Sequence, residues 1–275
     1  MSLVLALLGL MGLQWSGAAR HPVLLVATMA LAFIACIVNH NHQHCPTFAP
    51  RRRGLNAAFG CLLSLAIGQP ATAIVPMHNL NHHVHSNTPR DFVRASLVRF
   101  RWNLLNLLLF PFIAVAGYAR AKQREMLRWR AASPWLHGRL ARERWFFYTT
   151  ASVLLAVRPV ETLAFLIVPW VFGQWAIVAI NLVQHDGCDP ASDLAQARDF
   201  TGRWLNWWLL NNGFHTAHHL RPGLHWSLLP ALHEEIQGRL DPRLNRRSLL
   251  ASLFELYVWP GRRPGVPVAE EGEMK

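Results

Sequence analysis

Charge is what this chain has least of. Only 15% of its 275 residues are Asp, Glu, Lys or Arg, against about 25% in an ordinary water-soluble domain, so its surface cannot be mostly wet. Acidic residues are the scarcer sign, 15 against 27 basic, and the net charge of +12 suits a membrane face or an anionic partner. Cysteine is nearly missing as well. Cys36, Cys45, Cys61 and Cys188 form no CxxC pair and no disulfide-like spacing, which excludes a secreted scaffold stapled by bridges. No Lys or Arg precedes the first apolar run, Leu3–Trp15, so a cleaved signal peptide with a basic start is not expected. Collagen, coiled coil and disorder are excluded by the same composition, no repeat of fixed period is visible, and no nucleic-acid partner is expected. What the chain has instead is apolar residues at 52%, 12 Trp and 15 His. That combination describes a helical membrane protein rich in imidazole.

Apolar runs cover Leu3–Trp15, Pro22–Val38, Leu55–Val75, Trp102–Tyr118, Trp145–Val157 and Val160–Val183. A helical span takes roughly 20 apolar residues, and only the last run meets that with ease. The runs are still too many and too close together for an ordinary buried core. Charge decides which of them cross. If two hairpins span, 3–38 and 145–183, the crossing turns hold only Arg20 and Arg158, and the other 25 of the 27 basic residues gather on one side. The positive-inside rule makes that side cytoplasmic. Letting Trp102–Tyr118 cross in place of Trp145–Val157 would put the eight basic residues of 120–144 outside. Trp102–Tyr118, interrupted by Pro111, therefore reads as interfacial or re-entrant. So does Leu55–Val75, which holds Asn56, Gly60, Ser64, Gly68, Gln69 and Pro70.

The expected fold is all-α, a single domain over 1–259 with four spans near 3–15, 22–38, 145–157 and 160–183. Six spans is the rival layout. A cytoplasmic cap is expected from 39–144 and 184–259, ending in two helices near Pro230–Leu240 and Arg243–Val258. The tail 260–275, rich in Pro, Gly and Glu, is expected to be disordered. Trp102, Trp145, Trp204, Trp207 and Trp208 suit headgroup anchoring.

The histidines are not scattered. Seven fall between 40 and 85 (His40, His42, His44, His78, His82, His83, His85), four between 215 and 225 (His215, His218, His219, His225), and His185 ends the last apolar run. A topology drawn from Lys and Arg alone puts all of these on one side, just beyond the span ends. His40 and His44 are i,i+4 and share a helix face, as do His78 and His82, and Asn181 and His185. His215, His218 and His219, at i, i+3 and i+4, again share one face. Four segments can thus aim nitrogen or oxygen ligands at a common centre, although imidazole suits iron, copper, zinc and nickel alike. His21, His137 and His233 read as ordinary hydrogen-bonded residues. His42 points away from its neighbours on a helix, and stacking or hydrogen bonding suits His225.

The set His40-x3-His44, His78-x3-His82-His83 and His215-x2-His218-His219 resembles the three histidine boxes of the integral-membrane fatty acid desaturase/hydroxylase superfamily. Asn181-Leu-Val-Gln-His185 is similar to the extra Asn/His pair of its acyl desaturases, and Gly213–Pro230 resembles the third box with its continuation. The resemblance spans 40–230 and implies a non-haem di-iron centre using O2. Its implied ligands are His40, His44, His78, His82, His83, His185, His215, His218 and His219, with Asn181 as a further ligand, direct or through water. His85 is an extra residue in the second box; on a regular helix it lies nearer the His78/His82 face than His83 does, so the choice between the two stays open.

Removing hydrogen from an unactivated methylene needs an oxidant stronger than any side chain, and two irons with oxygen provide one. Soluble di-iron bundles use Glu ligands, which these spans do not offer. Ligating His usually donate their second N–H to a carboxylate or carbonyl; Asp186, Asp189, Asp193 and Asp199 are the acids nearby, with Asp189-Pro190 also readable as a helix cap followed by Pro in the first turn. The resemblance implies an oxygen-dependent fatty acyl desaturase working on lipid from the membrane. A hydroxylase or ketolase of acyl chains or carotenoids on the same scaffold is the alternative, and a membrane haem protein or metal transporter a more distant one. No redox module is visible, so a separate ferredoxin, rubredoxin or cytochrome is expected to donate electrons. The basic stretch 120–144 serves positive-inside topology and anionic lipid, or receives a phosphate-bearing carrier or an acidic donor.

Overall fold

The computed structural model describes residues 1–98, 100 and 103–259, apart from the side chains of 120–125, 127 and 132. Trp102 and the tail 260–275 lie outside the described residues. The chain is mostly helical. Among the described residues the single strand pairing is a two-residue parallel ladder, β1 (Asp199–Phe200) with β2 (Asn245–Arg246).

Proline and small polar residues punctuate the first half. Helix α1 (Ser2–Ser16) stops at Gly17, in the left-handed region. Helix α2 (Pro22–His44) opens on proline, whose missing N–H costs nothing in a first turn, and the His21 ring accepts the Val23 N–H as a cap. Among the described residues, two helices are long and apolar enough to cross a membrane, Pro22–His44 and Pro159–His185. The second is built from α7 (Pro159–Thr162), a π-turn at Leu163–Ile167 and α8 (Val168–His185). They pack face to face, and Gly173 permits it: a Cβ there would stand 2.9 Å from the Ala32 carbonyl oxygen. At about 1.5 Å per residue each exceeds the hydrocarbon thickness.

Both turns that the charge argument placed across the membrane come together. Arg20 and Arg158 each bind Glu161, at 2.9 and 3.2 Å. Arg158 also donates to the carbonyls of Trp15 and Ser16, at 2.9 and 2.7 Å. The two long helices therefore start at one end, and their histidines lie at the other.

Between them, α3 (Arg53–Ile67) and the stretch Ala71–His85 form an apolar pair bent by 77°, as a broken span or a re-entrant element would be. The bend falls inside the run Leu55–Val75. The break sits at Gly68, at φ +74°, where a Cβ would lie 2.3 Å from the Trp170 ring. Trp170 and Gln174 of α8 satisfy the carbonyls left open there, donating to Leu65 and Ile67 at 2.7 and 2.8 Å. Beyond the break, the buried Glu143 accepts the Thr72 N–H and hydroxyl at 2.7 and 2.9 Å and pairs with Arg139 at 3.0 Å.

Three elements differ from expectation. Trp145–Val157 is the second half of a 24-residue helix, α6 (Pro134–Val157), not an element of its own. Its first half carries Arg139 and Glu143 inward, a use of charge that hydropathy cannot anticipate. The described part of the run Trp102–Tyr118, residues 103–118, belongs to the 30-residue α5 (Asn103–Ala132), which runs through Pro111. Packing outweighs the proline there: Phe110 and Ala114 are fully buried, and Trp175 donates to Leu108 O at 3.0 Å. Near the C-terminus, the expected helix Pro230–Leu240 is met by α11 (Leu229–Ile236) and a 3-10 turn at Gln237–Arg239, whereas the second is shortened to α12 (Leu249–Leu253) with the π-turn Phe254–Val258. Residues 245–246 are taken by the ladder with 199–200, which delays the second helix.

Candidate metal centre

Four segments end at one place. The last turns of α2 carry His40 and His44, and the neighbouring Asn39 donates to Ala71 O at 3.1 Å, tying the first box to the segment before the second. The second box is a π-turn, His78–His82. Its backbone bonds run five residues apart, including His82 N to Met77 O at 3.0 Å, as π geometry requires. Five residues after His78, His83 therefore returns to the same side, with its Nε2 3.0 Å from His78 Nε2. The regular-helix spacing that would bring His85 nearer the His78/His82 face is not the spacing of this turn. His185 ends α8, its Nδ1 2.8 Å from the Gln196 carbonyl oxygen and its Nε2 3.0 Å from His215 Nε2.

The third box sits on a short helix, α10 (His215–Leu220). Its first turn is held from below: Asp199 Oδ1 accepts the Thr216 N–H at 2.7 Å. The three histidines do not act together. His215 and His219, one turn apart, face one way and His218 the other. The result is two groups of four, His40 with His44, His78 and His218, and His82 with His185, His215 and His219; within each group the candidate ligand atoms lie within 4.8 Å of one another. His83 stands between them, 3.1 Å from His218 Nε2 and with its ring 4.5 Å from that of His219.

The chemistry of this cage suits metal cations. A neutral imidazole has one N–H and one lone pair, and rings that meet nitrogen to nitrogen cannot all find donors. The Nε2 atoms of His44, His82 and His219 are buried with no hydrogen-bond partner, which is costly unless something binds them. Protonation is not the remedy. Burial, reinforced by neighbouring imidazoles, holds His215, His218 and His219 well below the ordinary histidine range. Neutral rings are the ligating form.

Asp91 supports the second group. Its Oδ2 lies 2.8 Å from His82 Nδ1, and the carboxylate also accepts the Asn87 and Val93 N–H groups at 2.8 and 2.9 Å. Burial raises the Asp91 carboxyl, but the His82 ring and these hydrogen bonds outweigh it, and the group rests below the usual carboxylate range. Sequence reasoning missed it, naming Asp186, Asp189, Asp193 and Asp199 instead. A signal was present: Asp91 is the first acidic residue in the chain. Of the four acids expected, Asp199 holds α10, while Asp186 accepts from the Tyr257 hydroxyl at 3.0 Å. Asp189 accepts the Ala191 N–H within a turn, and no helix follows Pro190, which corrects the helix-cap reading. Asp193 is exposed.

The remaining histidines stand apart. His42 is buried with its Nδ1 2.9 Å from Thr47 Oγ1. His85 is half-buried outside both groups. His225 pairs with Ser227 at 2.8 Å and lies against Trp226, and His233 lies 3.2 Å from Asp199. Asn181 belongs to neither group. Its Nδ2 donates to Val93 O at 3.3 Å, and it lines a narrow cavity of about 60 Å³ together with His40, His78 and His215. A wider polar cavity of about 560 Å³ touches His83 and His219 as well as Arg90 and Asp193.

The fatty acid desaturase family model matches residues 14–249, well over half of the chain, and that match contains every histidine of the two groups. The chain belongs to the fatty acid desaturase family. Comparison with curated proteins and with solved structures finds no significant match. Family membership, apolar helices and two histidine groups fitted for metal together make this a desaturase- or hydroxylase-type oxidoreductase of a membrane.

Proposed function

We propose that this desaturase-family chain is an oxygen-dependent fatty acyl desaturase using a di-iron centre and electrons from a separate ferredoxin, rubredoxin or cytochrome. The pairing of two four-histidine groups with His83 between them carries this reading. His40, His44, His78 and His218 would hold one iron and His82, His185, His215 and His219 the other, with His83 and, through water, Asn181 as further ligands. A pair of irons supplied with O2 and two electrons gives an oxidant able to remove hydrogen from an unactivated methylene.

The chain's own residues do the rest. Asp91 and the Gln196 carbonyl fix the Nδ1 tautomers of His82 and His185, leaving each Nε2 free to ligate. The narrow cavity under His40, His78 and His215 holds a lipid chain and excludes bulk water, while the wider cavity at His83 and His219 is the polar side. We read residues 1–259 as one domain with four spans and the histidines on the cytoplasmic face. The joined turns at Glu161 support that reading, because they keep both hairpins' crossing ends together.

Profiling lipids and carotenoids of cells expressing the chain tests the reaction. A new unsaturated acyl product is expected, with about two irons per purified chain and no haem absorbance; a Soret band or an unaltered lipid profile would refute the proposal. His85→Ala discriminates within the second box. It is expected to keep both irons and to make product, because His85 belongs to neither histidine group. Loss of an iron on that change would return the ligand role to His85.

A further inference from the structure

The cavity beneath the metal centre has apolar walls from Ile74, Met77, Val93, Ile177 and Val178, yet three glutamines line it as well: Gln184 near the histidines, and Gln174 and Gln69 at the far end. Gln174, Ile177, Val178, Asn181 and Gln184 recur at i, i+3, i+4, i+7 and i+10, so the cavity follows one face of α8 for about 15 Å. Its histidines lie toward one end of that face. Gln174 is at the other, and one turn further on Trp170 packs over Gly68.

The hydrogen bonds fix which way the glutamines point. Gln174 Nε2 donates to the Ile67 carbonyl at 2.8 Å, so Gln174 presents its Oε1 to Gln69, whose Nε2 donates to it at 3.0 Å. Flipping either amide would set donor against donor or acceptor against acceptor. Within this pair the carbonyl oxygen left over is Gln69 Oε1, which has no protein partner among the described residues. A hydrocarbon chain end cannot satisfy it. A hydroxyl can donate to Oε1 and accept the second Nε2–H of the same amide.

We propose that Gln69, held by Gln174, is a specificity-determining residue that recognises a hydroxyl on the distal part of an unbranched lipid chain, about 10 Å beyond the level of Asn181. The proposal rests on the reading of this site as a lipid oxidase, and it adds that the favoured substrate is already oxygenated. A site built to hydrogen-bond a hydroxyl discriminates strongly against the analogue lacking it, because its own polar group is then left unpaired.

The test uses the iron-loaded full chain in phospholipid vesicles without oxygen. Acyl chains of one length, unsubstituted or carrying a hydroxyl at successive distal carbons, compete with a fluorescent chain for binding. Wild type is expected to bind one hydroxyl position about tenfold or more tightly than the plain chain, and Gln69→Leu to lose or reverse that preference while keeping its iron. Equal or tighter binding of the plain chain by wild type overturns the proposal without help from any variant. A preference that survives unchanged in Gln69→Leu also overturns it. Binding of neither chain would remove the lipid reading together with this one; binding of both alike removes this one alone.

Discussion

Replacing His218 by alanine is expected to abolish product and to lower iron from about two per chain to about one. The reason is the position of this ring. Its Nε2 lies 3.0 Å from His40 Nε2 and 3.1 Å from His83 Nε2, so it is the contribution of the third box to the group otherwise made by the first and second. Removal leaves three imidazoles around that centre and frees His40 from its nearest nitrogen neighbour. Changing partners that only orient ligands typically costs 10–100-fold in affinity or activity; losing a ligand itself should exceed about 100-fold. His42→Ala is the matched control, since His42 is equally buried on the helix of the first box but bonds Thr47 instead. That variant is expected to keep both irons. Unchanged product from His218→Ala, or iron loss from His42→Ala alone, would remove the assignment of ligands made here.

The sequence and the structure part company at identifiable places. The convergence of the boxes was legible because helix periodicity and the distribution of Lys and Arg are both local or additive properties. His40/His44 and Asn181/His185 follow from i,i+4 spacing on two helices that end at the same level. The second box was not legible in detail, because a π-turn leaves no mark in hydropathy and moves His83 rather than His85 onto the face of His78. Spacing at i, i+3 and i+4 puts His215, His218 and His219 on one face, and only the surrounding groups reveal that His218 serves one centre and the other two the second. Glu143 and Arg139 were hidden for another reason. A charged pair inside an apolar helix looks like surface until the Thr72 segment that it grips is seen beside it. Asn245 and Arg246 were read as helix because a two-residue ladder with 199–200 is a long-range pairing with no periodic signal.

Asp91 carries the second large prediction. It is fully buried, and three groups converge on it: the His82 ring, the Asn87 N–H and the Val93 N–H. The first of these concerns the metal centre, since a carboxylate on Nδ1 fixes the tautomer that leaves Nε2 as the ligand and raises its basicity. The other two concern the turn after the second box. Asp91→Asn separates the roles. The amide keeps the volume and can still accept from His82, but its charge is gone and its NH2 cannot accept from the backbone. A 10–100-fold loss of iron affinity or of product formation is expected, with one iron retained more firmly than the other because the His40 group does not touch Asp91. Asp91→Ala should lower thermal stability further, since each unsatisfied buried N–H costs about 1–3 kcal/mol. Iron titration of the two variants beside a thermal melt distinguishes the effects. Equal weakening of both irons in Asp91→Asn, or a melt shift with iron binding intact, would make Asp91 a support of the turn and not of His82.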